Sequence, residues 1–283
     1  MKTTTMKFGK YLMLSFLALG ITVSSCKKDE EEEPETEVTF SAHTQVQVPI
    51  VLKETGELCP PCGSWGRTAW EGVINSVQGK TFLWSQYSDY FVSNSHFVNQ
   101  ELDPTNSVNN AFQKNFPYGG SKPLFYVNGV EATATNVAAV ETAVTASIAS
   151  TPVDISAAYK IEWDGDNLTV TAQAKLYNNM AGNYFMGVYL VEDKAKGIQS
   201  GHPSGSSTIV DHHMVMRGSL GGSIWGDEII ASTANAGDMI EKTFTQAVPS
   251  SYIKDNLTVG VIIWKKNGTK YFYEQAASNQ TSH

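Results

Sequence analysis

The sequence predicts an α/β domain at residues 46–150, followed by an all-β sandwich domain at residues 151–283. Between residues 46 and 150, apolar runs of strand length alternate with segments whose apolar residues recur at helical spacing. After residue 150 the chain consists of short runs of alternating apolar and polar residues, separated by turn sequences. The proline in "STPVD" lies at this change and indicates a hinge.

In the first part, strands and helices alternate along the chain. The predicted strands are "VQVPIVL" at 46–52, "TFLWSQY" at 81–87 and "PLFYVNG" at 123–129, the last ending in an Asn-Gly turn. The predicted helices cover 64–77, 107–116 and the alanine-rich segment 136–149.

In the second part, seven runs have the length and alternation of strands. They are "VDISAAYKIEW", "NLTVTAQAKLY", "YFMGVYLVE", "DHHMVMRG", "EKTFTQAV", "LTVGVIIWKK" and "KYFYEQA". Turn sequences such as "DGDN" and "KKNGTK" separate them. Short strands at this spacing predict an antiparallel sandwich of the Ig-like kind.

Residues 1–25 predict a secretory signal. Three lysines precede the apolar stretch "YLMLSFLALGITV", which is too short to span a bilayer. The segment ends in "VSSC" and resembles the lipobox of bacterial lipoproteins. This resemblance implies that Cys26 is acylated and anchors the protein in a membrane. The alternative is a soluble secreted protein in which this cysteine has no such role.

Residues 26–45 predict a lipidated, acidic tether. The run "KKDEEEEPETE" cannot bury its charges and is expected to be solvated. It resembles the export signal of Bacteroidota surface lipoproteins, which implies a location on the outer face of the outer membrane. Outside the cytoplasm, disulfides can persist.

The overall charge is negative. The formal net charge is −8, and removing residues 1–25, which contain three lysines and no acids, makes it −11. Proteins that bind nucleic acid need clustered lysine and arginine, so we expect no nucleic-acid partner. No phosphate-binding glycine loop is visible, and we predict no cofactor.

Cys59-Pro60-Pro61-Cys62 lies where the first predicted strand turns into a helix. Two cysteines at this spacing, in this position, are a thioredoxin-like arrangement. The helix start would favour the thiolate of Cys59, and proline suits the first helical position. Cys59 is then the nucleophile, and Cys62 is the resolving thiol that closes the disulfide.

Two further positions follow from the thioredoxin-like arrangement. It implies a cis-proline opposite the disulfide, and Pro123 stands at the start of a predicted strand. Lys122 would then lie beside the sulfurs, where its charge could favour the Cys59 thiolate. The arrangement also implies a buried carboxylate six residues before the first cysteine. That position holds Lys53, with Glu54 next to it, and only one of the two can face the site.

Three stretches carry a resemblance to a known family. "TG" followed after two residues by CxxC at 55–62, "KPLFYVNG" at 122–129 and "DHHMVMRG" at 211–218 resemble the outer-membrane-protein-28-related lipoproteins of Bacteroidota. This resemblance implies a thioredoxin-like domain followed by a β-sandwich.

The residues alone leave three interpretations of the cysteine pair. It could be a redox centre, a structural or vestigial disulfide, or a metal clip completed by His43. A disulfide that closes so short a loop adds little stability. A closed zinc site needs four ligands, and two cysteines follow the tether, so we predict no metal. His212 and His213 are adjacent in a predicted strand, so their side chains should diverge.

Two functions are compatible with these features. The first is thiol–disulfide exchange on protein cysteines by a surface-anchored lipoprotein. The second is a non-enzymatic module for surface binding, adhesion or assembly, in which the disulfide is structural or vestigial.

Overall fold

The computed structural model of the protein describes residues 38–87, 97, 101–116, 120–132 and 136–280. These residues form a mostly β structure with few helices. The helices are α1 (Pro60–Gly63), α2 (Trp65–Val77), α3 (Ser107–Asn115) and α4 (Val137–Ile148). The strands before residue 150 are β1 (Ile50–Thr55), β2 (Phe82–Tyr87), β3 (Leu124–Val127) and β4 (Val130–Glu131).

The remaining strands follow α4. They are β5 (Ile155–Asp164), β6 (Asn167–Leu176), β7 (Met180–Ala181), β8 (Asn183–Glu192), β9 (Ala195–Ile198), β10 (Ile209–His212), β11 (Val215–Ser219), β12 (Asp227–Ile230), β13 (Thr233–Ala234), β14 (Met239–Ala247), β15 (Leu257–Asn267) and β16 (Lys270–Ser278).

The helices predicted from apolar spacing are confirmed. α2 turns Trp70, Val73, Ile74 and Val77 inward, as their spacing of three and four residues requires. α4 begins at a polar cap, where the side chain of Asn136 accepts a hydrogen bond from the backbone N–H of Ala139 (2.8 Å). The predicted Asn-Gly turn joins β3 to β4.

One sheet of nine described strands runs through the protein. Its order is β16-β15-β8-β11-β2-β1-β3-β4, and β12 pairs with β8 outside this path. β1 and β2 are parallel, whereas β3 is antiparallel to β1. The link to the second part of the chain is a short parallel pairing of β11 with β2, at Val215 and Ser85.

A second sheet, with the order β14-β6-β5, packs on one face of the central strands. Successive residues of β15 point to opposite faces. Ile262 and Trp264 join the apolar core that contains residues of the helices, whereas Val261 and Ile263 join the core beneath β6. β15 is therefore buried on both faces, between a helical layer and the second sheet.

Strands from both sides of residue 150 thus share one sheet, and from Val38 onward the chain forms one compact unit. The division into domains at 46–150 and 151–283 stays a prediction. The end of the predicted tether also contacts the folded part, since the backbone N–H of Ser41 donates to the carbonyl of Tyr159 (2.8 Å). Cys26 and residues 1–37 lie outside the described residues.

The predicted strand "DHHMVMRG" is two strands, and here the prediction was wrong. Met214 has φ 56°, a left-handed conformation that ends β10 and redirects the chain into β11. β10 pairs with β9 in a separate hairpin, while β11 enters the main sheet. In the described ranges, no helix combines the length and apolarity needed to cross a membrane.

Candidate functional site

Cys59 and Cys62 form a disulfide at the turn from β1 into the helices. The sulfur atoms are 2.15 Å apart and the Cα atoms 5.2 Å apart. Cys59 caps α1 with extended backbone, and Pro60 opens the helix, where a missing N–H leaves no donor unsatisfied. α1 has four residues and ends at Ser64, where the backbone bends before α2 begins. The helix at Cys59 is thus shorter than the sequence predicted.

Lys122 and Pro123 lie beside the disulfide. The Lys122–Pro123 peptide bond is cis, the isomer that the thioredoxin-like arrangement implied. The carbonyl oxygen of Lys122 is 3.8 Å from Sγ of Cys59. The backbone before β3 therefore meets the first cysteine, while the catalytic role of Pro123 stays a prediction.

The side chain of Lys122 is buried in an ion pair. Its Nζ lies 3.0 Å from Oε1 of Glu54, and Nε2 of Gln86 donates to Oε2 of the same carboxylate (2.9 Å). From its sequence position, Lys122 is expected to act as an ammonium on the Cys59 thiolate. Because the Glu54 carboxylate offsets this charge, we expect a smaller effect on the thiolate.

Lys53 points away from Glu54, as neighbours in a strand must. It lines a cavity of about 20 Å³ together with Cys62, and its Nζ lies 5.4 Å from the centre of the Trp70 ring. Burial lowers the pKa of Lys53 to about 7; Glu71 opposes this shift, and Arg67 adds to it. Of the two candidates in β1, Lys53 is the one that shares a cavity with Cys62.

The loop between β9 and β10 (residues 199–208, here named the cover loop) packs on the cysteine motif. Nε2 of Gln199 lies within hydrogen-bond distance of the carbonyl oxygens of Gly56 (3.1 Å), Glu57 (3.1 Å) and Cys59 (3.2 Å). The backbone N–H of Ser200 donates to Glu57 (2.7 Å). Under this loop, Cys59 and Cys62 are 3% and 2% exposed.

Two glycines allow this close approach. A Cβ atom at Gly63 would lie 2.1 Å from the carbonyl oxygen of Ser200, and one at Gly201 would lie 2.1 Å from that of Pro60. Gly201 also has φ +77°, which favours glycine. The cover loop was not predicted from the sequence. Its only sequence signal is a glycine-, serine- and proline-rich stretch that reads as an ordinary turn.

His212 and His213 diverge, as predicted. Nδ1 of His212 lies 2.7 Å from the hydroxyl of Tyr87, and its Nε2 lies 3.1 Å from the carbonyl oxygen of Ile198. His213 instead bonds through Nδ1 to Oδ1 of Asp193 (2.8 Å). Within the described part of the chain, no three histidine, cysteine or acidic side chains are grouped to hold a metal ion.

The surface around the buried sulfurs is apolar. Leu58, directly before Cys59, is 41% exposed, and Trp65, at the start of α2, is 49% exposed. Pro60 and Pro61 between them are also exposed. Exposed apolar patches are a common feature of protein-binding surfaces.

No protein family matches the sequence, and no curated protein matches it. Among solved structures, HBP35 of Porphyromonas gingivalis is similar, with a TM-score of 0.65 at 13% identity over 85% of this chain and 77% of that one. A protein of Agrobacterium tumefaciens gives a TM-score of 0.47 at 14% identity, covering 85% of this chain and 97% of its own.

A domain of the outer membrane lipoprotein Omp28 from Porphyromonas gingivalis gives a TM-score of 0.31 at 19% identity, covering 46% of this chain and 90% of that domain. Of the three, HBP35 alone exceeds a TM-score of 0.5. At 13% identity, what this chain shares with HBP35 is the fold.

Proposed function

We propose that this protein is a lipoprotein of the outer membrane, facing the cell exterior, whose Cys59–Cys62 pair exchanges disulfides with cysteines of other proteins. The sequence features that support the anchor are the signal at residues 1–25, the lipobox-like "VSSC" ending at Cys26 and the acidic tether. The proposal assigns the cysteine pair to a thioredoxin-like arrangement.

The observation that carries the exchange function is the position of the disulfide. It lies at a strand-to-helix turn, with the Lys122 carbonyl 3.8 Å from Sγ of Cys59. A backbone segment beside the sulfur can pair with an extended substrate segment, which is a common mode of peptide recognition. The exposed side chains of Leu58 and Trp65 supply apolar contacts next to it.

The chemistry is a two-step exchange with a protein dithiol or disulfide. When the pair oxidises a substrate, a substrate thiolate attacks Sγ of Cys59. The Cys59–Cys62 bond breaks, and its electron pair leaves on Cys62, which takes up a proton. The second substrate thiol then attacks the mixed disulfide and releases Cys59. The reverse sequence reduces a substrate disulfide.

The test is to trap the mixed disulfide. In the full-length Cys62→Ser protein, Cys59 has no resolving partner and should accumulate substrate proteins in disulfide-linked adducts on intact cells. The matched control is Cys59→Ser, which should trap far fewer because the proposed substrate thiolate attacks Cys59 and not Cys62. Equal and negligible adducts from both variants would contradict exchange on protein thiols.

The alternative function is a non-enzymatic surface module for binding, adhesion or assembly, with a structural disulfide. The burial of both sulfurs beneath the cover loop favours it. The reduction potential separates the two candidates. A potential far below about −300 mV, with both thiols unreactive in the native state, supports the structural disulfide.

A further inference from the structure

We propose that the amine of Lys53 is the proton acceptor for Cys62. In its neutral form it takes the proton of the Cys62 thiol, directly or through one water, when Cys62 attacks a mixed disulfide on Cys59. This inference rests on the proposed exchange function, and it assigns to a lysine a role for which a carboxylate is the expected side chain.

The geometry begins with the direction of the two charged side chains in β1. Glu54 is engaged with Lys122 and Gln86 on one face of the strand, so its carboxylate is already committed. Lys53 points to the other face and lines the same small cavity as Cys62. Lys53 is therefore the charged side chain of β1 that shares a cavity with Cys62.

The cavity is large enough for one water molecule. Its volume of about 20 Å³ slightly exceeds the space that one water needs, and its lining includes the polar side chains of Lys53, Gln199 and His212. Cys62 is 2% exposed, so its proton cannot pass directly to bulk solvent. A buried thiol that must ionise needs an acceptor within the protein, and this cavity connects it to Lys53.

Burial lowers the pKa of the Lys53 amine, which a proton acceptor at neutral pH requires. An ordinary lysine is protonated at neutral pH and cannot accept a proton. Removal from water disfavours the charged amine, and the pKa of Lys53 falls to about 7. About half of the molecules then carry a neutral amine near pH 7, and a base of this strength is suited to proton transfer at that pH.

The charged groups around Lys53 do not cancel the lowering of its pKa by burial. From α2, Arg67 and Glu71 pair with each other (2.5 Å), so their opposing influences on Lys53 largely offset. From β10, His212 is neutral because burial lowers its pKa to about 3. Asp211, at the rim, pairs with Lys196. His213 also lines the cavity, but its Nδ1 is bonded to Asp193.

The proposed step balances atoms and charge. The S–H bond of Cys62 breaks, and the proton moves to Nζ of Lys53, which becomes an ammonium. The thiolate of Cys62 attacks Sγ of Cys59, the mixed disulfide breaks, and the substrate sulfur leaves with the electron pair and takes up a proton. Lys53 then returns its proton to solvent. In the opposite direction, the ammonium protonates the departing Cys62 thiolate.

The test measures the second phase of a small-disulfide reaction. The reduced full-length protein, in a Cys26→Ser background and in detergent, reacts with an aromatic disulfide that releases one coloured thiolate on attack by Cys59 and a second on closure by Cys62. We expect the wild-type second phase to accelerate with pH around a midpoint near 7. Lys53→Met, which keeps the length, should slow this phase by about tenfold or more at pH 7 and converge with wild type near pH 10.

Two further variants identify the role. Lys53→Arg keeps a cation that cannot give up its proton, so it should be as slow as Lys53→Met. His213→Gln, which also alters the cavity lining, should keep the wild-type profile. In every variant the first phase should stay within about twofold of wild type, because it reports only Cys59 and the intact fold.

Three outcomes would overturn the proposal. These are a second phase unchanged by Lys53→Met, a wild-type rate retained by Lys53→Arg, or a loss confined to His213→Gln. If the variants do not fold, the wild-type profile still decides, because a midpoint above about 8.5 belongs to an unassisted thiol. The assay uses a small disulfide, so its result is independent of whether proteins are the natural substrates.

Discussion

The side-chain amide of Gln199 lies 3.2 Å from the carbonyl oxygen of Cys59, although 140 residues separate them along the chain. Through this contact, a loop from the second part of the protein covers the disulfide formed in the first part. Cys59 is 3% exposed, so we expect a partner larger than water to need an opening of the cover loop to reach its sulfur. The opening of the cover loop and the reactivity of the Cys59 sulfur are therefore two separate properties of this protein.

Gln199→Ala should accelerate reduction of the disulfide by dithiothreitol. The substitution removes the contacts that hold the cover loop on the cysteine motif, and each hydrogen bond contributes about 0.5–1.5 kcal/mol. We therefore expect roughly a three- to tenfold faster reaction under conditions where loop opening limits the rate. Gln246→Ala, at a half-buried glutamine whose amide contacts the adjacent carbonyl of Ala247, is the matched control. Equal rates in the two variants would show that the loop does not limit access.

Lys122→Met should destabilise the oxidised protein by about 3–5 kcal/mol. The substitution leaves the buried Glu54 carboxylate without its cation, and breaking a buried ion pair has this cost. Adding Glu54→Gln should recover part of the loss, because an amide at position 54 carries no charge. Urea denaturation of the single and double variants measures both effects. If the loss of unfolding free energy in the double variant equals the sum of the losses in the two single variants, the two side chains do not act as a pair.

His212 should make the protein less stable as the pH falls from 6.5. Burial holds the pKa of folded His212 at about 3, whereas an unfolded histidine titrates near 6.5. Between these values the unfolded chain binds a proton that the folded chain does not, so acid favours unfolding by up to about 1.4 kcal/mol for each pH unit. Stability from this group is fully present above pH 6.5.

The comparison for this effect is His212→Gln, which cannot titrate. Wild type should be the more stable at pH 7, and its advantage in unfolding free energy should shrink by about 2 kcal/mol between pH 6.5 and pH 5. Other titrating groups act on both proteins and cancel in the difference. An advantage that stays constant over this range would mean that the folded histidine binds its proton normally.

Cys26 should carry the lipid anchor. Expressed in a bacterial host, the wild-type protein should partition into detergent and show an acylated N-terminus by mass spectrometry, whereas Cys26→Ser should remain in the aqueous phase. The reason is the lipobox-like sequence behind a signal core too short to span the membrane. An unmodified, aqueous wild type would exclude the anchor. Protease treatment of intact cells separately reports whether the folded part faces outward.

Local patterns were sufficient to predict most of the elements. The helices α2 and α4 were predicted from apolar spacing to within one residue, because that spacing is a property of one short segment. The turn after β3 followed from Asn128-Gly129. The pattern failed at "DHHMVMRG", where the left-handed backbone of Met214 divides one expected strand into two. No local preference of methionine indicates that conformation.

The sequence by itself determined the chemistry that is available: two cysteines at a strand-to-helix turn, a proline opposite them, and a lysine where a carboxylate was expected. The cysteine spacing and the lysine position lie within one short segment, and the proline is expected from the thioredoxin-like arrangement that this segment indicates. Only the tertiary structure decided that Glu54 neutralises Lys122, that Lys53 shares a cavity with Cys62, and that Gln199 covers the disulfide. Two of these contacts are long-range, since Lys122 pairs with Glu54 from a much later segment and Gln199 lies 140 residues from Cys59 along the chain. Such contacts depend on sheet order and strand direction, because strand pairing places distant segments together without leaving a signal in either one.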